Sequence, residues 1–221
     1  MHVVGYLVGT IDLGPVFGGK LKVPLGLSEF PPNFTEASGL WASSDSSWGR
    51  RPRPHGGHAI LRCNGPVLWG SSALKIVPLA TAEAETAEAS RATKDMLYTK
   101  ACCRGVKRPS MGPGIITVDN SAMHILVTKE NVSTRTRYFE RVTAFVRWAC
   151  LKMVVKLYLV LVTSADCLAD IFTKAVDKDT FIRLRAVLLN TEMDGGVKAQ
   201  VSRALRAAKQ LASLLCGYGG M

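Results

Sequence analysis

In the first part of the chain, apolar and polar residues are arranged as in β-strands, in which neighbouring side chains point to opposite faces. Three early segments alternate in this way or run apolar: residues 41–48, 57–63 and 66–71. Asn64-Gly65, between the second and third segments, is a hairpin signal. The pattern therefore predicts an antiparallel meander. Within its first strand, Asp45 falls on the same face as Trp41 and Ser43.

From residue 79 the period becomes helical. Alanine and glutamate, both strong helix formers, dominate a helix predicted over residues 79–103, with Thr81 as its cap. Two further strands are predicted at residues 115–118 and 154–162, and four further helices at residues 120–127, 134–153, 164–175 and 179–190. This order of elements predicts an α/β fold with a mixed sheet covered by helices.

The helix predicted over residues 164–175 carries two acids that are candidates for a functional site. Ser164 is a good N-cap residue, and Asp166 lies where the helix dipole favours a carboxylate. Asp170 lies four residues further on, so both acids are expected on one face of this helix. A strand that leads into such a helix would deliver Asp170 to the end of the sheet.

Composition narrows the class of protein. The 221 residues are 48% apolar and carry a net charge of +11, which favours a core and a polyanionic partner, above all nucleic acid. The six cysteines form no CxxC pair, as expected for a reduced intracellular protein. No secretory signal follows Met1, and charges interrupt the apolar stretch at residues 144–162. We expect a soluble protein of the cytoplasm or nucleus, without a membrane partner or a small-molecule cofactor.

Two basic regions could carry the contacts with phosphate. One is a loop after the first strand and the other is the predicted helix at residues 134–153; together they contain Arg50, Arg51, Arg53, Arg135, Arg137 and Arg141. Contacts with phosphate give an affinity for nucleic acid that falls as the salt concentration rises and that does not depend on the base sequence. Trp48 and Trp69 are expected in the core rather than as platforms for bases.

Four acids occupy comparable places in the predicted elements: Asp45, Glu85, Asp119 and Asp170. If the fourth strand lies parallel to the first, Asp45 and Asp119 emerge side by side at one edge of the sheet. Carboxylates this close repel unless cations lie between them. Mg²⁺ or Mn²⁺ is the natural choice, and two such ions could promote the hydrolysis of a phosphodiester.

Seven short stretches of the sequence together resemble one protein family. The stretches SSDSSWG, HGGHAI, GPVLW, TAEAE, TVDNSA, LADIFTKA and FIRLR follow one another over residues 41–190. In this order they resemble the ribonuclease H domain of copia-type retrotransposon Pol polyproteins. The resemblance implies a ribonuclease H-like five-stranded sheet, three strands antiparallel and the others parallel, flanked by helices. It places the metal-binding carboxylates at Asp45, Glu85, Asp119 and Asp170; a slip of two residues would put Glu83 in the place of Glu85.

The resemblance extends to the N-terminus. VVGYLVGTIDLG is similar to the segment that closes the reverse transcriptase of these polyproteins. We therefore expect a remnant of that enzyme plus a linker at residues 1–40, a ribonuclease H-like domain at 41–192 and a basic helical tail at 193–221. The chain departs from the family at Gly5, where an arginine is usual, at Thr86, and at residues 134–140, where a histidine is missing.

Two functions from different classes follow. The first is hydrolysis of the RNA strand of RNA–DNA hybrids with two divalent ions during retrotransposon reverse transcription, with the rest of a Pol polyprotein as a further partner. The second is a catalytically idle remnant that binds nucleic acid without cleaving it. Metal-dependent cleavage separates the first from the second.

Overall fold

A mixed five-stranded sheet forms the centre of the molecule. The structure is a computed structural model, and it describes residues 10, 12–32, 34, 39–48, 53–110, 112–129, 134–151 and 157–191. The strands are β1 (Leu40–Ser47), β2 (His55–Arg62), β3 (Gly65–Ala73), β4 (Gly114–Val118) and β5 (Leu157–Leu161). The helices are α1 (Thr81–Gly105), α2 (Ser121–Thr128), α3 (Glu140–Leu151), α4 (Asp170–Thr173) and α5 (Lys178–Leu189).

The order of strands across the sheet is β3-β2-β1-β4-β5. Strands β1, β2 and β3 pair antiparallel, while β4 pairs parallel with both β1 and β5. Trp41 lies opposite Ile115 and Ser43 lies opposite Thr117, so β1 and β4 run side by side towards the same edge. The predicted α/β fold with a mixed five-stranded sheet is confirmed.

Each face of the sheet has its own core. On one face, Leu40 and Ala42 of β1 pack with Ala89 and Met96 of α1 and with Val146 of α3. On the other face a second core contains Trp41, Ala59, Leu61, Ile115, Leu168 and Leu184. β1 thus sends alternate side chains into two cores, as its period of two requires.

The segment before β1 covers the second core. Leu25, Leu27, Phe30 and Phe34 pack against it. Asn64 in the β2–β3 turn fastens the segment, since its amide donates to the carbonyl oxygens of Gly18 and Lys20. The described part of the segment expected to contain a linker therefore lies across the second core. The expected basic helical tail, at residues 193–221, lies wholly outside the described residues.

Two predicted helices are wrong in their extent. Residues 134–139 form a 3₁₀ turn before α3 begins at Glu140, so no single helix covers residues 134–153. Residues 164–166 form a short 3₁₀ turn, and the α-helix that follows has four residues, Asp170–Thr173. Asp166 and Asp170 therefore do not share one helix.

A tertiary hydrogen bond explains the interruption at residues 167–169. The backbone N–H of Ala169, which a continuous helix would use internally, donates instead to Ser43 Oγ at 3.1 Å. Cys167 is correspondingly extended, with φ −73° and ψ 102°. A strand residue far away in sequence thus overrides the local helical pattern.

The start of α1 also differs from the prediction. Thr81 is its first helical residue and not its cap; Ala80 occupies the N-cap position without a side-chain bond. The backbone N–H of Leu79 donates instead to Glu83 Oε2 at 2.6 Å. Glu83 therefore stabilises the beginning of this helix.

Lys100 is a buried lysine of α1. Its side chain is buried, Nζ donates to the carbonyl oxygen of Gly112 at 3.1 Å, and burial lowers its pKa to about 8. The charged form therefore costs stability below pH 8, and this cost fades as the pH rises from 8 towards the pKa of an unfolded lysine.

We expect Lys100→Met to stabilise the protein by about 1 kcal/mol at neutral pH, since it removes a buried charge at the loss of one hydrogen bond. Thermal unfolding followed by circular dichroism at pH 7 and at pH 10 measures the effect. The advantage of the variant should shrink at the higher pH. An equal advantage at both values would contradict the assignment to charge burial.

No helix in the described ranges combines the length and the apolar character that crossing a membrane requires.

Candidate metal centre

Asp45 lies near the carboxyl end of the central strand. As predicted, the alternation of β1 places it on the face of Trp41 and Ser43; the structure shows that α4 and α5 cover this face. Its side chain is buried, and Thr173 Oγ1 donates a hydrogen bond to Oδ2. A hydrogen bond from the neighbouring helix thus fixes this carboxylate at the carboxyl end of the central strand.

Asp119 follows the last residue of β4. Because β4 runs parallel to β1, its carboxyl end meets that of β1 at the same edge. Asp119 is half-buried, and Ser164 Oγ donates to its Oδ2 at 2.7 Å. Ser164, expected to cap a helix, instead orients this carboxylate.

Asp170 is the first residue of α4 and is buried. Lys174 Nζ lies 2.9 Å from its Oδ2. Its Oδ1 has no hydrogen-bond partner within the described parts of the chain. Buried carboxylate oxygens are seldom left without a partner, so this atom marks a place that a cation could fill.

The structure brings these acids together. One ligand atom from each of Asp45, Asp119, Asp170 and Cys167 lies within 4.8 Å of the other three. The sequence predicted the three carboxylates and did not single out Cys167 from the six cysteines. The one available signal was its place three residues before Asp170.

Glu85 approaches the cluster from α1. It is buried, and its Oε2 has no partner among the described atoms. Burial, together with the charges of Asp45 and Asp119, raises the pKa of Glu85 to about 9. Of the two glutamates of the TAEAE motif, Glu83 binds the start of α1. Glu85 does not belong to the group of ligand atoms that lie within 4.8 Å of one another, and its part in a metal site stays a prediction.

The acids repel one another. Burial raises the pKa of Asp45 to about 6; Thr173 and Lys174 oppose this shift, and Asp170 and Asp119 add to it. Burial also raises the pKa of Asp170, despite its bond to Lys174. Although burial alone would lower the pKa of Lys174, its bond to Asp170 and the surrounding acids raise it. A divalent cation would remove the repulsion that the single ammonium group offsets in part.

The donors fit a hard divalent cation. Carboxylate oxygens are the ligands that Mg²⁺ and Mn²⁺ prefer, and Mg²⁺ is usually bound by one or two carboxylates with water completing its shell. The free oxygens of Asp170 and Glu85 are available for this purpose, and Asp119 leaves the cluster open on one side. These residues could hold a divalent metal.

The structure describes only part of the predicted phosphate-binding set. Arg53, Arg137 and Arg141 are exposed, as such contacts require. Arg50 and Arg51, and the side chain of Arg135, lie outside the described parts. Binding of phosphate by these arginines stays a prediction.

The expectation that Trp48 and Trp69 belong to the core is wrong. Trp48 is 49% exposed and Trp69 is 61% exposed. Trp48 comes after the last residue of β1, where the alternation no longer directs it inward, and Trp69 lies on the edge strand β3.

Gly57 sets the distance between the sheet and α4. It pairs with Asp45 across β1 and β2, and a Cβ atom here would lie 2.6 Å from Phe172 Cβ and 2.8 Å from Thr173 Cγ2. Such distances are shorter than van der Waals contact, so a side chain at residue 57 must displace α4 and, with it, Asp170.

We expect Gly57→Ala to lower the free energy of unfolding by about 1–3 kcal/mol through overpacking. It should also weaken the affinity for divalent cations, because Asp170 moves away from Asp45. Urea unfolding with and without Mg²⁺ measures both effects. Gly105→Ala is the control, since a Cβ atom there meets nothing within 4 Å; equal behaviour of the two variants would contradict the role of Gly57.

Comparison with known proteins identifies similar structures. No family model and no curated protein matches the sequence. The chain resembles the ribonuclease H1 of Halobacterium salinarum, with 14% identity and a TM-score of 0.48 over 61% of this chain and 93% of that one. It also resembles LC11 ribonuclease H1 in complex with an RNA/DNA hybrid, with 14% identity and a TM-score of 0.45 over 61% and 93%.

A third similar structure is the N-terminal ribonuclease H domain of a Mycobacterium tuberculosis protein. Its identity is 10% and its TM-score 0.45, over 66% of this chain and 94% of that one. Identities and TM-scores this low do not identify the function of this protein.

Proposed function

We propose that this protein hydrolyses the RNA strand of RNA–DNA hybrids with the help of two divalent ions, Mg²⁺ or Mn²⁺. The observation that carries the proposal is the convergence of Asp45, Asp119 and Asp170 at one edge of the sheet, within 4.8 Å of one another. Acids this close, with buried oxygens left free, are typical of a metal centre for phosphodiester chemistry.

Each acid has a distinct part in this proposal. Asp45 on β1 and Asp119 after β4 would hold the ions. Asp170 and Glu85 would complete the two sites, each with a free buried oxygen. Bound in this way, the ions would supply an activated water and would neutralise the charge on the leaving oxygen.

Neighbouring side chains keep the acids in place. Thr173 donates to Asp45 and Ser164 donates to Asp119, so these carboxylates are oriented before any ion arrives. Lys174 holds one oxygen of Asp170 and leaves the other free. Orienting partners of this kind commonly tune the affinity of a metal centre.

The substrate class follows from charge and from the sequence motifs. A net charge of +11 favours a nucleic acid, and the exposed Arg53, Arg137 and Arg141 are suited to phosphate contacts. An RNA–DNA hybrid would be recognised by its groove shape and by the 2′-hydroxyls of the strand to be cut. The motifs over residues 41–190 support an origin in a copia-type Pol polyprotein, with a domain at 41–192 that acts beside the rest of that polyprotein.

The test is cleavage of an end-labelled RNA–DNA hybrid by the full chain. Mg²⁺-dependent cutting of the RNA strand alone, abolished by EDTA, is the expected result. Duplex DNA and duplex RNA of the same sequence are the controls for substrate class. Binding of the hybrid that weakens with salt, without cutting in Mg²⁺ or Mn²⁺, would overturn the enzymatic proposal and favour the idle remnant suggested by the motif departures at Gly5 and Thr86.

A further inference from the structure

A thiol lies inside the carboxylate cluster. Cys167 is fully buried, and its Sγ lies 3.7 Å from Ser43 Oγ and 3.9 Å from the carbonyl oxygen of Ser44. Its sulfur is within 4.8 Å of oxygens from Asp45, Asp119 and Asp170. Hydrolysis of a phosphodiester by hard cations gives this sulfur no task.

A second observation points to a ligand at the same place. Asp170 is 6% exposed and its Oδ1 has no partner in the described parts of the chain, although a buried carboxylate oxygen normally has one. Glu85, whose charge interacts with Asp45 and Asp119, has a second such oxygen. The cluster around Cys167 thus has unused capacity to bind a cation, at Asp170 Oδ1.

The donor set is mixed, with one sulfur and three carboxylates. Oxygen donors suit Mg²⁺, whereas a thiolate selects softer metals such as zinc. Four ligands of one tetrahedral Zn²⁺, bound at about 2.0–2.3 Å, lie roughly 3.3–3.8 Å apart. Small side-chain movements would bring the present cluster to that spacing, and the half-buried Asp119 provides an entry from solvent.

We propose that Cys167, Asp45, Asp119 and Asp170 form a thiolate–carboxylate site that binds a thiophilic divalent cation, Cd²⁺ or Zn²⁺, in place of Mg²⁺. The metal–sulfur bond forms as the thiol releases its proton to solvent, and no oxidant or reductant takes part. The consequence for catalysis, inhibition by such cations, rests on the proposed function; the binding itself does not.

The experiment uses Cd²⁺ alone and the full chain with a single thiol. Because other cysteines would also bind Cd²⁺, the starting variant carries Cys63→Ser, Cys102→Ser, Cys103→Ser, Cys150→Ala and Cys216→Ser. The thiolate-to-Cd²⁺ charge-transfer absorption in the ultraviolet is then titrated. We expect saturation at one Cd²⁺ per chain, and no absorption when Cys167→Ser or Cys167→Ala is added.

A second variant tests whether carboxylates share the ion. Asp119→Asn in the single-thiol chain should weaken Cd²⁺ binding at least about tenfold. Asp166→Asn is the matched control, since Asp166 pairs with Arg183 and lies outside the cluster. Far-ultraviolet circular dichroism establishes that each variant is folded. Absence of the absorption, or equal affinity in the Asp119→Asn variant, would overturn the mixed site.

Inhibition is measured separately. If the chain cleaves hybrids, Cd²⁺ added at constant Mg²⁺ should inhibit the single-thiol chain, and Cys167→Ser should raise the inhibitory concentration at least about tenfold. Cd²⁺ absorption without any hybrid cleavage would sink the proposed function and leave the binding site standing. Cleavage without Cd²⁺ absorption would do the reverse.

Discussion

Replacing Asp119 by asparagine is expected to lower Mg²⁺-dependent cleavage of an RNA–DNA hybrid about 10³-fold or more, and Asp45→Asn should have the same effect. Asparagine keeps the size of the side chain but removes the charge that opposes two cations, and losing about 4 kcal/mol of transition-state stabilisation gives this factor. Asp119 is the better position for the test, because it is half-buried and Ser164 can also donate to an amide oxygen.

Initial rates on the labelled hybrid, measured over a range of Mg²⁺ concentrations, provide the comparison. Asp166→Asn serves as the control: it removes a carboxylate from the same segment, but one that pairs with Arg183 at 3.4 Å and lies outside the cluster. Unchanged rates in both Asp45→Asn and Asp119→Asn, with the folded state intact, would remove these residues from the site.

A large loss of stability is expected from His58→Leu, about 3 kcal/mol or more. His58 is buried on β2, with Nδ1 2.6 Å from Glu88 Oε1 and Nε2 2.8 Å from Asp95 Oδ2. Both ring nitrogens face carboxylate oxygens, so the imidazole bridges Glu88 and Asp95. Its removal leaves Glu88, which is fully buried, with Arg91 as its one remaining ion-pair partner among the described residues.

Urea unfolding at pH 7 measures this loss, and His55→Ala is the control on the same strand. His55 bonds Ser71 Oγ at 2.9 Å near the surface, so its replacement should cost less than about 1 kcal/mol. The double variant His58→Leu, Glu88→Leu should recover part of the lost stability, because it removes the uncompensated charge. A single variant as stable as the unmodified protein would show that the buried network contributes nothing.

The order and direction of the strands could be predicted from the sequence because they depend on patterns that act within a few residues. Alternation in residues 41–48, the Asn64-Gly65 turn and the helical period after residue 79 each act within a few residues. Together they predict three antiparallel strands followed by helices and parallel strands, and with this order comes the approach of Asp45 and Asp119.

The features that the sequence did not predict depend on contacts between residues that are distant in sequence. The N–H of Ala169 is bound by Ser43, which breaks a helix that local pattern alone predicts. Cys167 enters the cluster through the same interruption, and no spacing rule identifies a single cysteine as a neighbour of three acids. His58 meets Glu88 across 30 residues, so its role is visible only once β2 and α1 are packed.

The apolar residues ahead of β1 have a consequence for how far the folding unit extends. Leu25, Leu27, Phe30 and Phe34 shield the sheet from water, although all the stretches that carry the ribonuclease H resemblance begin at residue 41 or later. A polar replacement at any of the four would therefore bear on the same hydrophobic contacts as a replacement at Trp41 or Leu184. A fragment that begins at residue 41 would therefore expose this core to water, so the folding unit extends back at least to Leu25.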